Sequence, residues 1–343
     1  MPTKKKNNNK NKNKYPLVSV CTPTFNRRPF IPYMIKCFNH QTYPKDKIEW
    51  IIVDDGTDKI EELLTDIPQI KYFKYDSKMT LGEKRNIMHS KCKGEIIVYM
   101  DDDDYYPPER ISHAVEMLQK HPEALCGGSS IMNIYFKHIN KMFQFGPYGE
   151  KHATAATFAF RRKLLEDTSY DNGACLAEEK HFLKNYTVPF VQFDSLKTIL
   201  VFSHIHNSFD KKDLLNQSTN NPFIKESNVN PGDIISDTDI LMFFLKDIDA
   251  LLSNYEPGSP TNKKDVLNQI EEIKQKREEA MKERNAQNSF VNRVNSTNNK
   301  LQNEFIKKMT DMTIVIQELN LENANLRQKV AYLEEKLLKC KNG

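Results

Sequence analysis

The sequence lacks a long apolar run. No segment of its 343 residues approaches the roughly 20 consecutive apolar residues of a membrane-spanning helix. The amino terminus has no apolar signal-peptide core. The six cysteines form no CxxC pair, which argues against a zinc site or a disulfide framework and suits a reducing compartment. These absences predict a cytoplasmic protein, or a virus-associated one if the Asn- and Lys-rich composition reflects a large, AT-rich viral genome.

The sequence also lacks a basic domain. Its net charge is +4, but six lysines lie within the first 14 residues, so the remainder carries a net charge of −2. A nucleic-acid-binding domain is therefore not indicated, and no nucleic-acid partner is expected. Residues 1–14 are a low-complexity Lys/Asn tract, which predicts a disordered tail.

Residues 15–209 alternate strand-like and helix-like segments. Four apolar runs predict strands, and these are LVSVCT (17–22), IEWIIVDDG (48–56), IKYFKY (70–75) and EIIVYM (95–100). Amphipathic segments separate them, and Thr80 with Glu83 has the spacing of a capping box at a helix start. This rhythm predicts an α/β domain whose parallel strands have helices on both faces. Ligands of such sheets bind beyond the carboxyl ends of the strands.

The rest of the chain divides into two further parts. Residues 210–261 are rich in Asn, Ser and Pro and predict a polar linker with one packing helix, 236–252, capped by Ser236. Residues 262–343 lack Pro and Gly until Gly343, which predicts a helical region.

A heptad pattern over 305–339 predicts a coiled coil. The d positions are Phe305, Met312, Leu319, Leu326 and Leu333, and the a positions are Met309, Ile316, Asn323, Val330 and Leu337. The polar a residue Asn323 favours two parallel strands in one register, and this register pairs Glu322 with Arg327 and Lys329 with Glu334 across the dimer. We expect a parallel homodimer. The alternatives are a different coiled-coil partner or a single helix lying on the first domain.

Four consecutive aspartates, Asp101 to Asp104, follow the fourth predicted strand. So many carboxylates at one point require a cation or full exposure. If the strand continued, alternation would direct Asp101 and Asp103 to the same face. Carboxylate oxygens suit Mg²⁺ or Mn²⁺, which proteins commonly use to hold a diphosphate. The alternative is an acidic, solvated turn.

Other polar residues are predicted at the same sheet edge. Asp54 and Asp55 follow the second strand and could hydrogen-bond a base or ribose. The first strand ends in TPTFNRR (22–28), which offers hydroxyls and two cations. Lys84 and Arg85 lie early in a helix, where the helix dipole disfavours cations, so an anionic ligand is expected.

The set VCTPTFNR, WIIVDDGT, GEKRN and YMDDDDYYPPER resembles the nucleotide-sugar half of a family 2 glycosyltransferase with the GT-A fold. The resemblance implies a GT-A type, Rossmann-like mixed sheet flanked by helices. It also implies donor-nucleotide roles for the following residues: Thr22, Pro23, Thr24, Arg27, Asp54 or Asp55, Arg85, Asp101 and Asp102. The tetrad gives two possible registers for the family's DXD motif. The preferred register places the motif at Asp101, which would lean towards the ribose as well as the metal, and Asp103, which would bind the metal. Asp102 and Asp104 are then less suited as direct metal ligands and would supply supporting charge.

The resemblance implies further site residues. The family's catalytic base belongs to an acidic pair, which here is Glu178 and Glu179. Alignment favours Glu179, and because the family has Asp at that position, Glu178 stays a candidate. His204 and His206 are candidate metal ligands, as some GT-A enzymes carry a histidine after the last core strand.

The resemblance implies that the protein transfers a sugar from a nucleotide sugar, expected to be a UDP-sugar, with inversion and without processivity. The reaction is expected to depend on Mn²⁺ or Mg²⁺. The acceptor would be the hydroxyl of an unidentified glycan, protein or small molecule. The alternative is an inactive GT-A protein acting as a coiled-coil scaffold. A phosphotransferase or nucleotidyltransferase fits less well, because the first strand is followed by neither DxDx[TV] nor a glycine-rich loop.

Overall fold

The computed structural model describes residues 14–176, 179–207, 211–215 and 221–341. Its strands are β1 Val18–Thr24, β2 Ile48–Asp54, β3 Ile70–Lys74, β4 Ile96–Tyr99, β5 Cys126–Gly128, β6 Met132–Phe136, β7 Lys141–Phe145, β8 Ala159–Arg161, β9 Phe190–Gln192, β10 Leu200–Ser203 and β11 Ile224–Glu226. Its α-helices are α1 Ile31–Asn39, α2 Leu81–Lys91, α3 Arg110–Lys120, α4 Glu179–Phe182, α5 Lys212–Leu215, α6 Pro231–Ile234, α7 Thr238–Met242, α8 Ile248–Ser253 and α9 Lys264–Lys341.

Seven strands form the main sheet in the order β3-β2-β1-β4-β8-β5-β9. The four strands expected from the sequence, β1 to β4, are parallel, whereas β8 runs antiparallel to both β4 and β5. The sheet is therefore mixed. A second sheet of four strands has the order β10-β6-β7-β11.

Both faces of the main sheet are buried, because alternate residues of each strand face opposite sides. Val20 and Trp50 pack with residues of α1 and α3 in one apolar cluster. Cys21 and Ile51 pack with Met88 of α2 in the other. Helices therefore lie on both faces, and the predicted class, a mixed α/β sheet flanked by helices with a long C-terminal helix, is confirmed.

The segment predicted as a polar linker differs in the structure. Among its described residues, Ile240, Phe243, Phe244 and Ile248 are buried in the main core, and Phe244 stacks on Phe202 with ring centroids 4.0 Å apart. The single helix predicted there is two short helices, α7 and α8, joined by a π-helical turn, and its N-cap is Asp237, not Ser236. The first compact unit continues to Glu271.

The second compact unit begins at Glu272 and is described by a single helix, the remainder of α9. Its apolar heptad side chains are exposed, from Met309 at 49% to Phe305 at 64%. An apolar stripe of this kind is typical of a helix that pairs with another.

Across the described residues, we find no helix with both the length and the apolar character required to cross a bilayer.

Candidate active site

The candidate site lies where β1 and β4 adjoin at the carboxyl edge of the main sheet. The strand order changes direction here, since β2 and β3 lie on one side of β1 and β4 lies on the other. Such switch points hold ligands in open α/β sheets. The loops after these strands surround a cavity of about 150 Å³. Arg27, Asp101, Asp102 and Asp103 line it.

The aspartate tetrad lies in a bend, because β4 ends at Tyr99. The strand alternation used to pair Asp101 with Asp103 therefore does not apply. Instead, Asp102 and Asp103 both approach Arg27, with Arg27 Nε 3.6 Å from Asp102 Oδ1 and Arg27 Nη2 3.1 Å from Asp103 Oδ2. Asp104 has a different partner, since its Oδ1 accepts a hydrogen bond from the Phe202 amide at 3.3 Å.

Burial and mutual repulsion give the Asp102, Asp103 and Asp104 carboxyl groups of the tetrad different pKa values. Burial raises the pKa of Asp102 to about 7, and the neighbouring Asp103 carboxylate adds to this rise. Burial also raises the pKa of Asp104, again with help from Asp103. For Asp103 itself, burial is outweighed by Arg27 and His204, which hold its pKa well below the ordinary value. Among Asp102, Asp103 and Asp104, Asp103 is therefore the carboxylate most strongly stabilised in its ionised form.

Arg27 connects the tetrad to the turn that follows β10. Its side chain is buried, and its Nη1 donates a hydrogen bond to the His206 carbonyl at 3.0 Å. The guanidinium also lies 5.5 Å from the ring centroid of Phe30. The structure thus brings Arg27 to the acidic cluster, and its predicted donor role stays a prediction.

Lys84 and Arg85, predicted to meet an anionic ligand, meet carboxylates of the chain. Lys84 Nζ pairs with Asp55 and donates to the Thr24 carbonyl at 3.0 Å. Arg85 lies 4.3 Å from the Tyr99 ring centroid, with its Nη2 3.9 Å from Asp101 Oδ2. Both cations are buried, so they neutralise acidic residues at the sheet edge.

Several predicted donor residues are engaged inside the sheet. Thr22 donates to the Met100 carbonyl at 2.6 Å and accepts from Trp50 Nε1 at 2.9 Å. Asp54 accepts from the Gly56 amide at 2.8 Å and from the Tyr72 hydroxyl at 2.6 Å. The Thr22 and Asp54 side chains therefore make hydrogen bonds within the protein at the ends of their strands. Pro23 and Thr24, in contrast, line the cavity. The nucleotide roles of all four stay predictions.

The two candidate metal-ligand histidines differ in position. His204 Nε2 lies 3.4 Å from Asp103 Oδ2, and burial lowers the pKa of His204 to about 3, so the imidazole is neutral as metal binding requires. The His206 ring lies beside Tyr255, with centroids 6.3 Å apart. Within the part of the chain that the structure describes, no three His, Cys, Asp or Glu side chains form a complete metal cluster. The pair of Asp103 and His204 has oxygen and nitrogen donors that suit Mn²⁺.

Of the candidate bases, Glu179 is the first residue of α4 and is partly buried, while Glu178 lies outside the described residues. The loop before this pair is held by Gln269 at the start of α9. Gln269 Oε1 accepts from the amides of Cys175 at 2.8 Å and Leu176 at 2.9 Å. This contact positions the loop that leads to the candidate base.

Sequence reasoning missed one wall of the cavity. Lys263, Asp265 and Val266 line it, although they belong to the region predicted as a separate helical part. The only local signal was a turn, since Pro257, Gly258 and Pro260 precede the helix. A turn signal does not reveal what the following residues contact.

The fold and site define the class, an α/β domain with an acidic cluster at the switch point of its main sheet. Residues 19–169 match the model of glycosyl transferase family 2, and this part of the chain is a family 2 glycosyltransferase domain.

Curated relatives match over about a third of the chain. The poly(ribitol-phosphate) beta-N-acetylglucosaminyltransferase TarS of Staphylococcus aureus is 26% identical over 135 residues, which are 36% of this chain and 21% of that protein. An uncharacterized glycosyltransferase of Rickettsia typhi is 35% identical over 107 residues, 31% of this chain and 33% of that protein. The match therefore spans only a fifth to a third of these relatives.

Solved structures with a related shape include two nucleotide-sugar complexes. Staphylococcus aureus TarS 1–349 with UDP-GlcNAc has a TM-score of 0.41 and 19% identity, covering 54% of this chain and 58% of that one. The mannosyltransferase PcManGT of Pyrobaculum calidifontis with GDP-Man and Mn²⁺ has a TM-score of 0.43 and 18% identity, covering 54% and 56%.

Proposed function

We propose that this protein transfers a sugar from a nucleotide-diphosphate sugar, with UDP-sugar the first choice, to an acceptor hydroxyl with inversion at the anomeric carbon. The observation that carries the proposal is the buried Arg27–Asp102–Asp103–His204 cluster at the switch point of a family 2 domain. Buried opposite charges without a ligand function are costly to a fold, which favours a functional site here.

The reaction makes one bond and breaks one. The acceptor oxygen forms a bond to C1 of the sugar from the face opposite the diphosphate, while the C1–oxygen bond to the diphosphate breaks and its electron pair leaves with the nucleotide. Glu179 takes the hydroxyl proton as attack proceeds, because a free alkoxide is inaccessible near neutral pH. Arg27, which approaches Asp102 and Asp103, is the cation proposed to offset the charge of the departing diphosphate.

Asp103 and His204, with Asp101, are the residues proposed to hold Mn²⁺ or Mg²⁺. A bound divalent cation would supply Lewis-acid stabilisation of the diphosphate. The neutral imidazole of His204 and the ionised Asp103 are in the protonation states that such a ligand role needs.

Release of nucleotide from a donor panel tests the proposal. Purified protein is incubated with UDP-GlcNAc, UDP-Glc, UDP-Gal and GDP-Man, with Mn²⁺ or with EDTA, and free UDP or GDP is quantified. We expect release from at least one donor with Mn²⁺, and its loss in Asp103→Asn. If no donor is hydrolysed or transferred, or if wild type equals Asp103→Asn for every donor, the sugar-transfer proposal is wrong and the inactive scaffold is favoured.

We also propose that the C-terminal helix forms a parallel homodimeric coiled coil. Its support is the exposed stripe that includes Ile316, Leu319 and Leu326, together with the single polar a residue Asn323. The acceptor and the cytoplasmic location stay predictions from the sequence.

A further inference from the structure

A segment outside the family-matched region lies across the candidate site. We call Tyr255–Gln269 the capping segment. On one side it contacts the loops after β1 and β2. The Tyr255 hydroxyl donates to Asp58 Oδ2 at 2.8 Å, and Asn26 Nδ2 donates to the Pro257 carbonyl at 2.9 Å. These contacts attach it to the side of the site proposed to hold the nucleoside.

The other end of the capping segment contacts the loop that precedes the candidate base. Asp265 pairs with Lys78 and accepts from Cys175 Sγ at 3.5 Å. Gln269 accepts hydrogen bonds from the Cys175 and Leu176 amides. The segment therefore spans the site, from the loops after β1 and β2 to the loop before α4.

Between these two attachments, the capping segment places Lys263 at the cavity. Lys263 is 7% exposed and lines the cavity together with Arg27, Asp102 and Asp103. A lysine is rarely buried to this degree unless it serves a charged partner. Burial lowers its pKa to about 7, and repulsion by Arg27 adds to this, while Asp103 and Asp102 oppose it.

The ligand that best fits between two mutually repelling cations is an anion. Arg27 and Lys263 both line the cavity, and a phosphate group between them would replace their repulsion by two attractions. A lysine ammonium, with three donors on a flexible stem, is suited to phosphate as a point charge. The aspartates would then face the cation that accompanies the diphosphate. The Arg27 and Lys263 side chains would face the oxygens of the diphosphate.

We infer that Lys263, carried by the capping segment from outside the family-matched region, binds the diphosphate of the donor. The inference rests on the proposed function, since it names a further donor-binding residue of the same site. It also makes the residue immediately before α9 part of the donor pocket.

The test is diphosphate binding by the full-length chain. Isothermal titration calorimetry with UDP and with GDP, in Mn²⁺ and in EDTA, compares wild type with Lys263→Met, Lys263→Arg and the matched control Lys264→Met, whose side chain is exposed. Lys263→Met should weaken diphosphate binding about tenfold or more, because a charge-assisted hydrogen bond is lost. Lys263→Arg should recover part of the affinity, and Lys264→Met should bind as wild type does. Ligand-observed NMR should give equal uridine and guanosine binding in all four proteins.

Three results would overturn the inference. If wild type binds UDP or GDP and Lys263→Met binds it equally well, Lys263 only neutralises the aspartates, and the proposed function stands. If Lys263→Met weakens nucleoside and diphosphate binding alike, its role is structural. If wild type binds neither diphosphate, the proposed function fails as well. Thermal unfolding without ligand serves as the folding control, and binding is compared only at temperatures where every variant is fully folded.

Discussion

At the residue scale, Arg27 decides how charge is distributed over the aspartate tetrad. Its guanidinium approaches Asp103 at 3.1 Å and Asp102 at 3.6 Å, so it stabilises Asp103 more directly. The pKa of Asp103 is held low, whereas burial and Asp103 raise that of Asp102 to about 7. Adjacent carboxylates therefore differ in charge, and this asymmetry favours Asp103 as a cation ligand.

The tetrad should respond unequally to neutralisation. We expect Asp103→Asn to lower donor turnover by about 10²–10³-fold, the usual loss when a charge-stabilising group is removed from an active site. Asp104→Asn should retain much more activity, because its side-chain oxygen can still accept from the Phe202 amide. Steady-state assays at saturating Mn²⁺ make the comparison. If Asp104→Asn alone abolishes activity, the assignment of Asp103 is wrong.

His89 should make the fold sensitive to acid. Burial, aided by the Arg85 charge, lowers the pKa of His89 from 6.5 to about 3, and its Nε2 hydrogen-bonds the Tyr99 hydroxyl at 2.6 Å. The stability from the neutral ring is fully present above pH 6.5 and is lost as the pH falls towards 3, because only the unfolded chain takes up the proton. A buried histidine of this kind changes the unfolding free energy by about 1.4 kcal/mol per pH unit in this range.

Urea unfolding at several pH values between 4.5 and 6 measures this slope. His89→Gln should reduce the dependence of the unfolding free energy on pH by about 1.4 kcal/mol per unit. The exposed His138→Gln serves as control and should leave the slope as in wild type. An unchanged slope in His89→Gln would show that His89 is not the acid-sensitive group.

At the element scale, the capping segment depends on close backbone approach at Gly258. A Cβ there would lie 2.7 Å from His206 Nδ1 and 2.8 Å from the Asn26 carbonyl oxygen. The carbonyl belongs to the backbone of the loop after β1, so this contact cannot relax by a rotamer change. The glycine thus allows the segment to lie against both loops.

Gly258→Ala should lower the unfolding free energy by about 1–3 kcal/mol, the usual cost of overpacking. Gly232→Ala is the matched control, because its Cβ would lie 3.7 Å from Leu241 Cδ2, an ordinary contact, and alanine favours helix. Urea titration of both variants gives the comparison. Equal stability of Gly258→Ala and wild type would contradict the close approach.

At the scale of the whole molecule, the chain divides into two compact units. The first, to Glu271, contains the candidate site together with the capping segment. A truncation intended to isolate this unit must therefore end at Glu271 and not at Asn262, since Lys263–Gln269 pack on the site.

The oligomeric state of the protein should depend on the heptad side chains of α9. Light scattering should give about twice the 40.0 kDa chain mass for the full-length protein and a monomer for the chain ending at Glu271. Leu319→Asp, at a d position, should dissociate the dimer because it buries a charge in the seam. Leu321→Asp, outside the seam and 67% exposed, should remain dimeric. A monomeric wild type would contradict the coiled coil.

Local signals in the sequence predicted much of the first hundred residues. The parallel strands β1, β2 and β4 were readable because strands buried on both faces are continuous apolar runs. Thr80 was readable as the N-cap of α2, and its side chain accepts from the Glu83 amide at 3.2 Å. The acidic tetrad was readable as a charge cluster, although its register was not, because the strand ends one residue earlier than its apolar run.

The sequence by itself determined the strands, the acidic edge and the heptads, because each depends on residues close together in the chain. Only the tertiary structure decided which charges meet. Arg27 reaches Asp103 across 76 positions, and Lys78 pairs with Asp265 across 187. The packing of 221–262 against the core and the position of Lys263 in the cavity likewise depend on long-range contacts. Periodicity and spacing report local geometry, whereas such contacts are selected by burial and charge balance of the folded chain.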